Sequence, residues 1–242
     1  MDLPEIKVLA DAAGVAKEAA ERIARHVHES IELRDRFSIA LSGGSTPKLL
    51  YQLLAKEPYR SQIGWERLDV YFGDERCVPP DHPDSNHRMA RESLLSAVPI
   101  PEGNVHRMRG EADPEQAAKE YGELLKEKFG DGGPDLVLLG MGDDGHTASL
   151  FPGTAALQES KHRCVANYVE KLKTWRLTMT APFINRSAGV LVMVSGQAKA
   201  QRVQEVLEGP RDPERLPIQL IQPTSGRMAW LLDAGAAGMG RE

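Results

Sequence analysis

PDLVLLGMG, residues 134–142, is the stretch that decides the fold. Its centre is an unbroken run of apolar side chains, and glycines follow directly. Such a run is typical of a strand that is buried on both faces, as strands of a parallel sheet are. The stretch therefore predicts an inner strand of a covered sheet.

Segments of strand and helix character alternate along the rest of the chain. The predicted strands are residues 5–10, 37–44, 68–74, 134–142, 163–168, 175–180, 188–196 and 227–233. The predicted helices are residues 11–34, 45–58, 86–98, 113–130 and 197–209. This alternation predicts an α/β fold with one doubly wound, mostly parallel, Rossmann-like sheet and helices on both faces. We expect a single domain over residues 1–242, ending in a flexible tail from about residue 234.

The composition is that of a soluble globular protein. Hydrophobic residues make up 41% of the 242 residues, and the net charge of −5 argues against a nucleic-acid partner. No apolar run approaches the roughly 20 residues that span a bilayer, and residues 1–14 do not resemble a signal peptide. The two cysteines, Cys77 and Cys164, are far apart in sequence, which favours reduced thiols and a cytoplasmic location. The oligomeric state does not follow from the sequence.

LSGGSTP, residues 41–47, joins a predicted strand to a predicted helix. Ligands of doubly wound sheets bind at the carboxyl ends of strands, and helix N-termini favour anions. The candidate anion-binding residues are Ser42, Gly43, Gly44, Ser45 and Thr46. Neither nucleotide pattern, G-x-x-x-x-G-K-[ST] or G-x-G-x-x-G, is present. The alternative is a simple helix cap, with Ser45 or Thr46 as the N-cap residue.

FGDERCVPPDHPDSNHRM, residues 72–89, contains a long non-periodic loop, a kind that is more often functional than idle. Asp74, Glu75 and Arg76 begin this loop, where they can reach a polar ligand, although surface ion pairs are the alternative. Cys77, His82 and His87 match no zinc-ligand spacing, so we expect no metal site.

GMGDDGHTASLFPG, residues 140–153, places His146 after a tight turn, where we expect a short helix to begin. A histidine is suited to moving a proton near neutral pH. Asp143 or Asp144 could hold its second ring nitrogen. The alternative is a structural histidine, although several other polar groups are expected at the same sheet edge.

Two cations complete the predicted site. Lys199 falls in the first turn of a predicted helix, where it opposes the helix dipole unless an anion is bound. Arg176 opens a predicted strand and would add a second positive charge, although both could be solvated surface residues. The pattern indicates a small phosphorylated metabolite acted on by an imidazole. G-x-S-x-G is absent, and nothing calls for an organic cofactor.

ALSGGSTP (40–47), FGDERCVPPDHPDSN (72–86) and LGMGDDGHTASLFPG (139–153) resemble, in this order, the lactonases of the glucosamine-6-phosphate isomerase/6-phosphogluconolactonase family. RLTMTAPFIN (176–185) and VSGQAK (194–199) extend the resemblance, which covers about residues 5–233. The second and third motifs are specific, whereas GGSTP is shared with the related deaminases. His87 departs from the family pattern, in which a bulky residue such as Tyr is expected.

The resemblance implies hydrolysis of 6-phospho-D-glucono-1,5-lactone to 6-phosphogluconate, the second step of the oxidative pentose phosphate pathway. His146 would act as the general base on water, and Asp144, or alternatively Asp143, would orient it. Arg76 would stabilise the oxyanion or hold a sugar hydroxyl, while Asp74 and Asn86 would shape the loop or meet hydroxyls. The residues implied for the 6-phosphate are Ser42, Gly43, Gly44, Ser45, Thr46, Arg176 and Lys199.

Two rival functions follow from the same fold. A glucosamine-6-phosphate deaminase would carry a Glu shortly after the histidine, where this chain has Leu150, Phe151 and Pro152. A non-enzymatic sugar-phosphate sensor that acts on DNA would need a helix-turn-helix module and a basic surface. A catalytically idle relative of the lactonases is the third alternative.

Overall fold

A computed structural model describes residues 4–239 of the chain. The strands are β1 (Glu5–Leu9), β2 (Phe37–Leu41), β3 (Leu68–Phe72), β4 (Asp74–Arg76), β5 (Leu136–Leu139), β6 (Cys164–Val169), β7 (Thr174–Met179), β8 (Gly189–Val194) and β9 (Arg227–Asp233). The helices are α1 (Ala12–Arg34), α2 (Ser45–Leu54), α3 (Tyr59–Gln62), α4 (Asn86–Ala90), α5 (Pro114–Phe129), α6 (Ala181–Ile184) and α7 (Ala200–Glu208). Within this part of the chain, no helix is both long and apolar enough to cross a bilayer.

Strand β5 takes an inner position in a six-stranded sheet, as its apolar sequence predicts. The strand order is β1-β9-β8-β5-β2-β3, and every neighbouring pair is parallel. All four side chains of β5 are buried. The predicted α/β fold with a mostly parallel sheet is therefore confirmed.

Helices cover both faces of this sheet because alternate side chains of each strand point to opposite faces. Ile39 of β2 belongs to the core under α1 and α2, together with Ile23. Its neighbour Ala40 belongs to the opposite core, which Tyr121 and Leu125 of α5 help to fill. The sheet is thus wound on both sides, and its loops at the carboxyl edge stay free to build a site.

A second, antiparallel sheet of three strands packs beside α5, in the order β4-β7-β6. The register of β4 on β7 is Asp74 with Thr178, Glu75 with Leu177, and Arg76 with Arg176. The sequence predicts only the start of a loop at β4, because a polar segment of three residues shows no strand periodicity. Residues 74–76 form a strand because they pair with β7, not because of a pattern in their own sequence.

Two local predictions are wrong. Gly44 is the N-cap residue of α2, not Ser45 or Thr46. His146 lies in a turn and does not begin a helix. That turn is closed on itself, since the Gly142 N–H donates to the His146 carbonyl oxygen at 2.9 Å.

Two predicted helices are divided in the structure. The helix predicted at residues 86–98 consists of α4 followed by a π-helical segment, Arg91–Leu95. The helix predicted at 197–209 begins with a 3₁₀ turn, Gln197–Lys199, before α7. Of the predicted tail, residues 234–238 form turns in which Ala236 is buried, and residues 240–242 lie outside the described part.

Candidate active site

A cavity of about 290 Å³ lies at the carboxyl ends of β2, β5 and β8, the edge where open α/β sheets bind ligands. Most residues predicted for the site line it: Ser42, Gly43, Gly44, Ser45, Thr46, Asp74, Arg76, His146 and Lys199. Two predicted residues do not line it. Asp144 is hydrogen-bonded to His146, and Arg176 is the cross-strand neighbour of Arg76.

The first turn of α2 borders the cavity through Ser45 and Thr46. Gly44 has φ +109° there, a conformation that favours glycine, and within residues 4–239 no side chain caps the helix. The backbone N–H groups of this turn therefore lack a side-chain acceptor, and a bound anion would supply one. This arrangement favours an anion site over the simple helix cap.

Buried Tyr51 holds the segment that leads into this turn. Its hydroxyl accepts a hydrogen bond from the Ser42 backbone N–H at 2.9 Å and donates one to the Ser42 carbonyl at 2.8 Å. Gly43 leaves no room for a side chain, because a Cβ there would overlap the amide of Asn86. The loop before α2 is therefore fixed in place, and its backbone is accessible to a ligand.

His146 is oriented by two neighbours. Its Nδ1 lies 2.5 Å from Oδ1 of Asp144, and its ring stacks on Phe151 with centroids 4.1 Å apart. Gly142 makes room for the imidazole, since a Cβ at that position would overlap the ring. Because Nδ1 is engaged with a carboxylate, the proton lies on that side and Nε2 is left as the basic nitrogen.

The sequence allows either Asp143 or Asp144 as the partner of His146, and in the structure Asp144 is the one in contact. The hydrogen bond from His146 holds the pKa of the Asp144 carboxyl well below its usual range, against the opposing effect of burial. Asp144 is thus an anion at neutral pH. Asp143 is exposed, and its Oδ1 lies 2.5 Å from Nζ of Lys199.

Arg76 and Arg176 face each other across β4 and β7. Burial, followed by the nearby guanidinium of Arg76, lowers the pKa of Arg176. Arg76 also donates from Nη1 to the carbonyl oxygen of Asp84 at 2.5 Å. Two adjacent guanidinium groups repel each other unless an anion lies nearby, so this pair adds to the positive character of the site.

Asp74 is the buried acid of the site. Its Oδ2 accepts a hydrogen bond from the hydroxyl of Ser149 at 2.7 Å, and its Oδ1 accepts one from Nδ2 of Asn86 at 3.2 Å. These contacts join β4 to the loop of His146 on one side and to α4 on the other. The carboxylate lies in the cavity wall.

Sequence reasoning missed three residues of the site and misplaced one. Phe151 and Ser149 lie in the motif that contains His146, but only the folded turn brings them to the imidazole and to Asp74. Lys171 lies on the β6–β7 hairpin, and its Nζ is 3.2 Å from Oδ2 of Asp144; no local signal marks it. Glu75 was expected to reach a ligand, but it is buried and does not line the cavity.

A larger groove of about 760 Å³ lies between α5 and β6. None of the residues predicted for the site lines it. Charges of both signs border it, so it offers no clear preference for a ligand. Among residues 4–239, no group of three His, Cys, Asp or Glu side chains is placed to hold a metal ion.

The chain is similar in sequence and in structure to known proteins. The family described as glucosamine-6-phosphate isomerases/6-phosphogluconolactonase matches residues 10–230. A 6-phosphogluconolactonase from Synechocystis sp. is 42% identical over 239 residues, which cover 96% of this chain and 97% of that protein. One from Nostoc sp. is 39% identical over 237 residues, covering 96% of each. The structure of 6-phosphogluconolactonase from Trypanosoma brucei is similar with a TM-score of 0.88 and 31% identity, covering 98% of this chain and 99% of that chain.

Proposed function

The chain belongs to the glucosamine-6-phosphate isomerase/6-phosphogluconolactonase family, and we propose that it is a hydrolase that converts 6-phospho-D-glucono-1,5-lactone to 6-phosphogluconate in the pentose phosphate pathway. The observation that carries this function is the His146–Asp144 pair beside an uncapped helix N-terminus in one cavity. The pair provides a base, and the helix end provides an anion site. A phosphosugar lactone needs both.

The chemistry requires no more than one base. A δ-lactone is an activated ester, so water is a sufficient nucleophile once its proton is removed. His146 takes that proton at Nε2 as the water oxygen bonds to C1. The C1–ring oxygen bond then breaks, and the imidazolium returns the proton to the departing oxygen. One water is consumed, and the product has one new carboxyl and one new hydroxyl group.

Asp144 keeps the imidazole in the reactive tautomer. Its carboxylate accepts from Nδ1 and stabilises the imidazolium that forms during attack. Arg76 lies in the cavity wall, which supports a role as donor to the oxyanion at C1 or to a sugar hydroxyl. A donor aimed at a developing oxyanion is commonly worth about 3 kcal/mol of barrier.

The phosphate is held at a distance from the reacting carbon. Its ligands in this proposal are the backbone N–H groups of the α2 start, the hydroxyls there and Lys199, and the Arg176 guanidinium, which does not line the cavity, adds positive charge from beside Arg76. Binding energy from this remote group orients C1 toward the base. Lys199 also forms an ion pair with Asp143, so the phosphate competes with that carboxylate for the ammonium group.

The test is hydrolysis of freshly generated 6-phosphogluconolactone, followed as 6-phosphogluconate formation with the spontaneous rate subtracted. We expect fast turnover by the wild type and a loss of about 10²-fold or more in kcat for His146→Ala, with little change in KM. His162→Ala is the matched control, because His162 is exposed and does not line the cavity. A wild type with no rate above background would refute the function.

We also propose that the protein works in the cytoplasm and binds no nucleic acid. Both cysteines are free thiols, as a reducing compartment favours. The net charge of −5 disfavours a phosphate-backbone partner. Activity in a cytosolic fraction and the absence of a mobility shift with duplex DNA are the corresponding measurements.

A further inference from the structure

Glu75 is a buried carboxylate without a cationic partner. The residue is 2% exposed, and among the residues described here no lysine, arginine or histidine forms an ion pair with it. An isolated buried charge is costly unless hydrogen bonds replace the lost water. In line with this, burial raises the pKa of Glu75 although four donors oppose the shift.

Those four donors come from both ends of one loop. Oε1 accepts from the backbone N–H groups of Asn86 at 2.7 Å and Arg76 at 2.8 Å. Oε2 accepts from the His87 N–H at 2.9 Å and from the Ser85 hydroxyl at 3.0 Å. The carboxylate therefore joins the end of β4 to the start of α4, and the intervening segment 77–84 is closed at its base.

The residues on either side of this junction line the cavity. Arg76 lies in the cavity wall, and so does Asn86. The Asn86 amide donates to the Asp74 carbonyl at 3.0 Å and fills the space beside Gly43. Arg76 reaches across the loop to the Asp84 carbonyl. One carboxylate thus sets the backbone positions of two cavity residues that are ten positions apart in sequence.

We propose that Glu75 is a positioning residue for the reaction: it fixes the segment 76–87 as a preformed wall and holds Arg76 and Asn86 toward the reacting end of the substrate. The inference rests on the proposed function, because it assigns these two residues to lactone hydrolysis. Glu75 itself does not touch the substrate. Among the described residues, Glu75 has no hydrogen bond to Lys199 or to the start of α2, and it reaches the proposed phosphate site only indirectly, through Asn86 beside Gly43 and Arg76 beside Arg176. We therefore expect the loss of the carboxylate to change kcat more than KM.

The test compares Glu75→Gln with Glu111→Gln at a temperature where both variants are folded. Glu111 is paired with Arg107 outside the cavity, so its loss costs stability only. A glutamine at 75 turns an NH₂ group toward backbone donors and cannot accept all four bonds. We expect kcat to fall about tenfold with KM changed less than about threefold, since a small displacement of a catalytic group lowers the rate by a large factor. Glu111→Gln is expected to keep wild-type kinetics.

Hydrogen exchange of residues 77–87 provides a second readout that does not depend on activity. We expect faster exchange in Glu75→Gln than in wild type and no change in Glu111→Gln. Wild-type kcat in a folded Glu75→Gln variant would overturn the proposal. If the variant does not fold, Ser85→Ala removes one donor, and a folded Ser85→Ala with unchanged kcat and unchanged exchange would overturn it as well.

The two proposals fail in different ways. Absence of lactonase activity in the wild type refutes the proposed function and with it the assignment of Arg76 and Asn86 to that reaction. Normal wild-type activity together with a fully active Glu75→Gln variant refutes only the role of Glu75. Reduced kcat with accelerated exchange at 77–87 supports both.

Discussion

The imidazole of His146 and the phenyl ring of Phe151 are stacked, with centroids 4.1 Å apart and planes inclined by 21°. The Asp144 carboxylate holds the edge of the same imidazole through its contact with Nδ1. The two contacts are complementary, because the carboxylate sets the rotation of the ring and the phenyl group sets the plane in which it lies. The imidazole proposed as the general base is therefore held in one orientation by the fold itself.

Phe151→Leu is expected to lower kcat about threefold to tenfold with little change in KM. Leucine fills most of the buried volume but offers no flat surface to the imidazole, so a misoriented base is the main consequence. Steady-state kinetics on lactone measure the effect, and a thermal melt verifies that the variant is folded. Full kcat in a folded variant would show that the stacking is not needed for orientation.

Asp143→Asn is expected to lower KM for the lactone about twofold to fivefold at low ionic strength, with kcat unchanged. Asp143 is paired with Lys199 and would repel a phosphate at the proposed site, so its neutralisation is expected to release the lysine for the ligand. The gain should shrink at high salt, because exposed charges are screened. Asp131→Asn, on an exposed turn, is the control. A higher KM would instead mean that Asp143 holds Lys199 in its binding position.

Ser149→Ala is expected to destabilise the fold by about 1–3 kcal/mol, because an oxygen of buried Asp74 loses its hydrogen bond from the Ser149 hydroxyl. Urea unfolding measures the change, with exposed Ser61→Ala as the control. A free energy of unfolding within about 0.5 kcal/mol of wild type, the range of ordinary surface substitutions, would contradict this role.

Asp144→Asn is expected to change how stability depends on pH. The hydrogen bond from His146 lowers the folded-state pKa of Asp144 below its unfolded value. The contact therefore stabilises the protein above the usual aspartate titration range, and this contribution is lost as pH falls through the lowered pKa. Wild type should exceed the variant in unfolding free energy at neutral pH, by about 1–3 kcal/mol for a charged hydrogen bond, and the difference should shrink in acid. A difference that stays constant down to pH 2 would contradict the linkage.

The order of strands and helices could be predicted from the sequence because it depends on local patterns. The apolar run at 136–139 lies in an inner strand, and α5 spans Pro114–Phe129, within the predicted range 113–130. The residues that line the cavity could be predicted for a related reason. They follow strands whose carboxyl ends meet at one edge of a parallel sheet.

The contacts that these residues make with other segments could not be predicted from the sequence. Lys171 reaches Asp144 only because the β6–β7 hairpin lies beside the loop of His146. Glu75 turns inward because β4 pairs with β7, and alternation along a strand then sends its neighbours to the other face. Neither arrangement leaves a local signature.

By itself, the sequence determined the α/β architecture and the set of polar residues at the strand ends, since periodicity and turn chemistry act over a few neighbouring residues. Tertiary structure alone decided that Asp144 rather than Asp143 meets His146, that the start of α2 is left without a side-chain cap, and that Glu75 closes a loop. These are distances between atoms from separate segments or across a closed turn, and they exist only once the packed core has fixed the backbone that carries them.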